Sequence, residues 1–151
     1  MEAALQRDIQ VPMFSPVLLH GNGVDAQLSW GTLSSYIKGV SAERCAEREL
    51  ESKGYRVLGK RVKNRYGEID ILAQKDADLV AVEVKQRRTL DSARSCISAK
   101  QRRRISDAIL CFISNSEEHF ESYRIDVVCL DSIGRFEHIE NAFPIEGSVE
   151  C

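Results

Sequence analysis

The sequence is poor in proline and has no long apolar run, and each scarcity excludes a class of protein. With 3 Pro and 43% hydrophobic residues among 151, it is neither a collagen nor a mainly disordered tail. No run of 18 apolar residues occurs, so we expect no membrane-spanning helix. The N-terminus lacks the basic and apolar regions of a signal peptide, so we expect a cytoplasmic protein.

Paired cysteine motifs are also missing. The 5 cysteines are an odd number without a CxxC pair, and the 3 histidines are not spaced with them as zinc ligands are. We therefore expect reduced thiols rather than disulfides or a structural zinc site. Because Cys45, Cys111 and Cys129 lie in apolar stretches, we expect them to be small core residues.

The net charge of −2 hides an uneven distribution of charge along the chain. Residues 44–104 contain seventeen Lys and Arg but nine Asp and Glu, whereas the rest of the chain is acidic. Such a basic block is typical of a surface that binds a polyanion, although a solvated surface is the alternative. Its densest part contains Lys85, Arg87, Arg88, Arg94, Lys100, Arg102, Arg103 and Arg104.

Periodicity and turn residues predict one α/β domain. We expect an extension over residues 1–27, a single domain over 28–145 and a tail over 146–151. Ser41 as N-cap and Gly54 after the C-terminus predict a helix over 42–53. Residues 28–36 are compatible with a short helix before it. A second long helix is predicted over 97–114. Strands are predicted over residues 55–65, 69–73, 79–85, 123–130 and 136–141, giving the order αβββαββ and a mixed sheet flanked by helices.

The second and third predicted strands form a hairpin with an unusual pair of faces. If Gln74 lies opposite Leu79, one face is wholly apolar, because Ile69 meets Val84, Ile71 meets Val82 and Ala73 meets Val80. On the other face, the facing pairs are Leu72 with Ala81, Asp70 with Glu83, and Glu68 with Lys85.

Two carboxylates directly across a hairpin predict a metal site. Cβ atoms of such pairs are about 5 Å apart, so Asp70 and Glu83 repel each other unless a cation lies between them. Oxygen ligands favour Mg²⁺ or Mn²⁺, and Lys85 is close enough to position water or balance charge on a phosphate. The alternative is a hairpin with solvated charges, in which Lys85 pairs with Glu83 or Glu68.

Several segments together resemble a known family. The resemblance covers residues 41–130 of this chain. It rests on Ala42-Glu43, Gly54-Tyr55, GEIDIL, VEVKQR and the RIDVV run from Arg124. These resemble the YraN-like family of uncharacterised bacterial proteins, which is similar to Holliday-junction resolvases of the PD-(D/E)XK restriction-endonuclease-like superfamily. Ile69 stands where that superfamily's nominal motif has proline.

The resemblance implies a restriction-endonuclease-like core with the active site at one edge of a mixed sheet. Asp70 and Glu83 would ligate the metal, Lys85 would complete the motif, and Glu43 corresponds to an additional acidic residue of resolvase-like members. Gln101 matches a polar helix position that faces such sites. From the residues alone, Glu43 is equally well explained by the helix macrodipole, and Gln101 by a capping hydrogen bond.

The sequence thus predicts a Mg²⁺- or Mn²⁺-dependent endonuclease acting on DNA, with branched or junction DNA as one form. The expected phosphate contacts come from Arg87, Arg88, Lys100, Arg102, Arg103 and Arg104. Two alternatives are a nucleic-acid-binding module without catalysis and a protein that binds an acidic partner. By analogy a homodimer is expected, with Trp30, Phe136 and Phe143 as candidate interface residues.

Overall fold

A computed structural model describes residues 30–147, and the side chains from Ser41 onward. The extension predicted over 1–27, residues 148–151 of the predicted tail, and the side chain of Trp30 lie outside the described part. The elements are α1 (Trp30–Ser52), β1 (Arg56–Asn64), β2 (Gly67–Lys75), β3 (Asp78–Gln86), α2 (Leu90–Ser95), α3 (Ala99–Asn115), β4 (Ser122–Leu130) and β5 (Phe136–Ile139). The predicted α/β class and order αβββαββ are confirmed, with the short α2 added before α3.

The five strands form one mixed sheet in the order β1-β2-β3-β4-β5. Only the β3–β4 pair is parallel; the other three neighbouring pairs are antiparallel. As a result, β1, β3 and β4 end where β2 and β5 begin. We call this edge, marked by Asn64, Gly67, Gln86, Leu130 and Phe136, the cleft end of the sheet, and the opposite edge the far end.

Helices cover both faces of the sheet. On one face, Ala42, Ala46 and Leu50 of α1 pack against Val80 and Val82. Their spacing of four residues places all three on one side of the helix. On the other face, α2 and α3 cover the sheet through a second apolar cluster that contains Ala93, Ile97, Ile105, Ala108 and Ile109. Within residues 30–147, no helix has the length and apolarity that crossing a bilayer requires.

The first helix is longer than predicted. It already includes Trp30, so Ser41 lies inside it rather than at its N-cap, and the predicted break between two helices is wrong. Its predicted end is correct. Gly54 has a φ of +83°, a conformation that glycine adopts without steric cost, and its N–H donates to the carbonyl of Glu51.

Capping interactions define the helices after β3. Thr89 caps α2 and Ser98 caps α3, each in a reciprocal capping box with the residue three positions later. The predicted helix over 97–114 is therefore α3, which begins after Ser98.

Not every cysteine that was predicted to be a core residue is buried. Cys111 and Cys129 are buried as predicted, but Cys45 is exposed because it lies beside the buried face of α1 rather than on it. The four cysteines of the described part are reduced. Phe143, a candidate interface residue, is buried against α3 within the chain, and Phe136 is half-buried.

Candidate functional site

The hairpin of β2 and β3 opens at the cleft end. Its predicted register is confirmed from Gln74 opposite Leu79 to Ile71 opposite Val82, where the described ladder stops. At the next position, Oδ2 of Asp70 accepts a hydrogen bond of 2.8 Å from the backbone N–H of Val84. Asp70 thus caps the open end of the ladder instead of forming a regular cross-strand pair with Glu83.

At the same place, the side chains of β2 change the face of the sheet on which they lie. Ile69 packs with Leu72 in the cluster against α3, whereas Ile71 packs in the cluster against α1. Strict alternation would put Ile69 and Ile71 on one face, so the prediction that Ile69 shares the apolar face is wrong. In β1, Arg61 lies between the two residues that pair with Ile71 and Ile69, and its φ is +50°. Both strands are therefore distorted next to Asp70.

Glu83 and Lys85 form a buried ion pair. They are 7% and 9% exposed, and Nζ of Lys85 donates to Oε1 of Glu83. Of the two alternative partners expected for Lys85, the structure has Glu83; Glu68 pairs instead with Lys63. The side chain of Lys85 is therefore positioned directly beside a predicted metal ligand.

The pKa of the Asp70 carboxyl is strongly raised. Burial and the nearby charge of Glu83 raise the pKa of Asp70 to about 7, from an ordinary 3.8, and Glu43 adds to the rise. The hydrogen bond from Val84 and the charge of Lys85 act in the opposite direction. The carboxylates thus lie close enough for mutual repulsion, as the sequence predicted.

Glu43 reaches this cluster from α1. Both of its carboxylate oxygens accept hydrogen bonds from the guanidinium of Arg61, at 3.0 and 2.8 Å. Because α1 already includes Trp30, Glu43 is not in a first helical turn, and the macrodipole explanation does not apply. Arg61 is a site residue that the sequence did not predict, because its position opposite Asp70 becomes apparent only from the register of β1.

A polar cleft of about 690 Å³ contains these groups. Glu43, Asp70, Glu83 and Lys85 line it together with Arg87 and Arg88, so two of the predicted phosphate-binding residues are at the site. Ser132, in the turn after β4, also lines the cleft and was not predicted.

A second, smaller cavity of about 110 Å³ lies on the α3 side. Asp70 and Glu83 line this cavity too, together with Glu68, Gln101, Arg104 and Ile105. Gln101 has a structural role as well, because its Oε1 accepts from the N–H of Ser98 and completes the cap of α3. The opening between β2 and β3 therefore gives side chains from α1 and α3 access to the same two carboxylates.

The remaining predicted basic residues do not line either cavity. Lys100, Arg102 and Arg103 are exposed on α3; Arg103 pairs with Asp107, and the Arg102 guanidinium lies 5.5 Å from the centre of the Phe143 ring. They lie within the first five residues of α3, so the positive charge that they add is at the start of this helix.

The carboxylates of the cleft can be compared with the ligands that a metal ion prefers. In residues 30–147, no three His, Cys, Asp or Glu side chains gather as a self-sufficient metal site. Mg²⁺, however, is commonly held by one or two carboxylates, with water and substrate phosphate as its other ligands. Asp70 and Glu83, oxygen donors whose repulsion a cation would relieve, fit that ion and the similar Mn²⁺.

A separate charged network lies on the α1 face, toward the far end. Asp126, fully buried, accepts hydrogen bonds from Arg124 and from the backbone of Asn141, and lies 2.9 Å from Nε2 of His138. Burial acts to raise the pKa of Asp126, but these hydrogen bonds outweigh it and hold the pKa below its ordinary value. Arg124 also contacts Asp78 and the hydroxyl of Tyr55, so this network ties β3, β4 and β5 together.

Comparisons with known proteins agree on one family. The model of the uncharacterised protein family UPF0102 matches residues 42–130. A UPF0102 protein of Granulibacter bethesdensis is 38% identical over 109 residues, covering 72% of this chain and 69% of that protein. A UPF0102 protein of a Sulfurihydrogenibium species is 42% identical over 111 residues, covering 72% and 96%. One of Azorhizobium caulinodans is 36% identical over 115 residues, covering 76% and 88%.

Proposed function

The chain belongs to the uncharacterised protein family UPF0102, and since that name states no activity, we propose from its own site that it is a divalent-metal-dependent endonuclease acting on DNA. The observation that carries the proposal is the pair of carboxylates, Asp70 and Glu83, at the opening of the hairpin. They lie beside Lys85 in a cleft that continues to Arg87 and Arg88. Carboxylates, one ammonium and adjacent guanidiniums are the groups that metal-assisted phosphodiester hydrolysis requires.

Each residue has a distinct task in this proposal. Asp70 and Glu83 hold the ion, and Lys85 neutralises Glu83 and offers its ammonium to a water or a phosphate oxygen. A bound Mg²⁺ or Mn²⁺ supplies Lewis-acid catalysis and activates water at neutral pH. Glu43, held by Arg61, adds negative charge at the rim of the cleft.

The basic residues have the task of binding the nucleic acid backbone. Arg87 and Arg88 border the cleft and Arg104 borders the smaller cavity, so we assign the phosphates next to the cut to them. Lys100, Arg102 and Arg103 would contact more distant phosphates along α3. Such contacts give affinity without reading sequence. A cytoplasmic location is part of this proposal. The homodimer stays a prediction.

The test measures cleavage of linear, single-stranded and junction DNA with Mn²⁺ or Mg²⁺. We expect Lys85→Ala to lower the cleavage rate by about 10²- to 10³-fold, because a charge facing the phosphate is lost. Lys85→Met fills the same volume and should behave alike, so a fall in rate is not due to a cavity. Lys60→Ala, which removes a lysine paired with Glu47 on the exposed side of β1, is the control and should cut normally.

Equal inactivity of the wild type and Lys85→Ala on every substrate would contradict the catalytic claim. The alternative is then a nucleic-acid-binding module without catalysis. One observation favours it: Glu43 and Glu83 each already have a cationic partner within the chain. Calorimetry separates the two functions, because only the nuclease requires Mn²⁺ binding that Asp70→Asn abolishes and the exposed-site control Asp91→Asn retains.

A further inference from the structure

The turn between β4 and β5 exposes an apolar side chain beside the cleft. Ile133, in this turn, is 77% exposed, and Tyr123 at 46% is the other large exposed apolar residue among those whose side chains are described. The two lie at opposite ends of the sheet, since Tyr123 is near the start of β4 and Ile133 follows its end. A single exposed apolar residue is ordinary, so its surroundings decide whether it has a role.

The turn is firmly held. The side chain of Asp131 is almost fully buried and accepts hydrogen bonds from the backbone N–H groups of Ile133 and Arg135, at 3.0 and 2.8 Å. The Arg135 guanidinium also donates to Asp131, and the N–H of Asp131 donates to the carbonyl of Arg135. Gly134, at a φ of +86°, completes the reversal. Ile133 is thus fixed before any ligand arrives, which lowers the entropic cost of using it for binding.

The same turn is attached to the cleft. Ser132, the neighbour of Ile133, lines the cleft, and its hydroxyl donates to the carbonyl of Arg88 at 3.2 Å. The N–H of Arg87 donates to the carbonyl of Leu130, where β4 ends. In the chain, Ile133 therefore follows Ser132, which contacts one of the two arginines that we assign to the phosphates, and precedes by two residues Arg135, whose side chain is 62% exposed.

We propose that Ile133 is an apolar wedge that inserts at an interrupted base stack next to the cleaved phosphate. This inference rests on the proposed nuclease function and adds a substrate preference to it. Apolar side chains placed between base steps unstack them, while flanking cations bind the phosphates on either side. The cost of unstacking is smallest where stacking is already broken, so a duplex with an unpaired bulge should bind better than a continuous one. The flanking arginines favour nucleic acid over an apolar protein surface as the partner of Ile133.

The test compares Ile133→Ser with Tyr123→Ser, which removes the other exposed apolar side chain at the far end. Binding to fluorescent DNA is measured for a continuous duplex and for one with a single-nucleotide bulge beside 2-aminopurine, whose emission rises when it unstacks. We expect Ile133→Ser to reduce the preference for the bulged duplex about tenfold and to lose the rise in emission. Binding to the continuous duplex and to Mn²⁺ should stay at the wild-type level, and Tyr123→Ser should behave as the wild type in every measurement.

The outcomes separate the two proposals. If the wild type cuts DNA and Ile133→Ser matches it in preference and emission, the wedge is wrong and the nuclease stands. If the wild type neither binds nor cuts any DNA, both fail. If Ile133→Ser keeps its DNA preference but changes the mass of the protein in solution, the turn is a protein contact and the wedge is wrong. Because Ile133 is exposed, thermal unfolding should coincide with the wild type and exclude misfolding.

Discussion

Asp70 connects the structure of the hairpin with the chemistry of the cleft. Its carboxylate accepts a hydrogen bond from the N–H of Val84, which lies beyond the last described pair of the β2–β3 ladder, and it faces the charge of Glu83. The first contact favours the ionised form and the second opposes it, with burial adding to the opposition. Ionisation of Asp70 is therefore unfavourable, and a cation at this position would stabilise the ionised form.

A pH dependence of stability follows at the residue scale. The pKa of Asp70 is about 7 in the folded chain and 3.8 in its ordinary, unfolded environment. Folding therefore favours the protonated form, and this contribution to stability is lost as the pH rises from about 4 to 7. Asp70→Asn does not titrate, so without metal it should exceed the wild type in stability by on the order of 2 kcal/mol at pH 8 and by little at pH 4, after allowance for solvent screening.

Urea unfolding at several pH values checks this expectation. Asp91→Asn, at an exposed position on α2, is the control and should parallel the wild type at each pH. A gap between wild type and Asp70→Asn that is constant from pH 4 to 8 would mean that the carboxylate is not destabilised in the fold. Added Mn²⁺ should stabilise the wild type alone, since the variant lacks one of its two ligands.

At the scale of elements, hydrophobic alternation was sufficient to predict the register of β2 with β3 from Ile71 to Gln74. It could not predict the opening beyond Ile71, because that depends on a side chain replacing a strand in the hydrogen bonding of Val84. Alternation likewise could not predict that the side chain of Ile69 lies on the face against α3, because this change occurs next to the opening of the ladder. What the pattern did supply is the essential part of the site: Asp70, Glu83 and Lys85 do meet at one end of the sheet.

Helix boundaries were less predictable, and for a different reason. Ser41 is a favourable N-cap, but the N-cap preference of one serine is worth only about 1 kcal/mol, so a longer helix overrides it. The six-residue α2 has too few turns to show a periodic pattern, and its capping by Thr89 and the burial of Ala93 become visible only in the fold. Glu43 was recognised, but its partner Arg61 required the register of β1.

The capping box of α3 allows a prediction at this scale. Ser98→Ala removes the acceptor for the N–H of Gln101 and should lower the free energy of unfolding by about 1 kcal/mol. Gln101→Glu should stay within about 0.5 kcal/mol of the wild type, because glutamate also serves at the third position of a capping box. Chemical denaturation measures both, with Ser114→Ala near the end of α3 as a control. A Gln101→Glu variant as unstable as Ser98→Ala would mean that the side chain does more than cap.

At the scale of the whole molecule, the net charge of −2 misrepresents the surface that a ligand meets. The cleft end carries Arg87 and Arg88, and α3 adds Lys100, Arg102 and Arg103, whereas much of the acidic charge lies elsewhere in the sequence. A protein with this distribution can bind a polyanion while its average charge is slightly negative.

The salt dependence of DNA binding tests that distribution. If Arg87 and Arg88 each contact a phosphate, the double variant Arg87→Gln/Arg88→Gln should reduce the slope of log K against log salt concentration by about 1.8. Fluorescence anisotropy between 50 and about 200 mM salt gives the slope. The matched control is Arg44→Gln/Arg48→Gln, which removes two exposed arginines from α1. Equal slopes in the two double variants would place the DNA elsewhere on the protein.

The two ends of the sheet differ in how freely their residues can be replaced during evolution. The network around Asp126 joins three strands at a distance from the cleft, so part of the cohesion of the sheet comes from residues that do not line the cleft. Mutations of the exposed residues at the cleft end, such as Arg87 and Arg88, can therefore accumulate without unfolding the chain, and substrate preference can diverge among descendants of one ancestor. In evolutionary terms, the buried network helps to leave the exposed part of the cleft free to change.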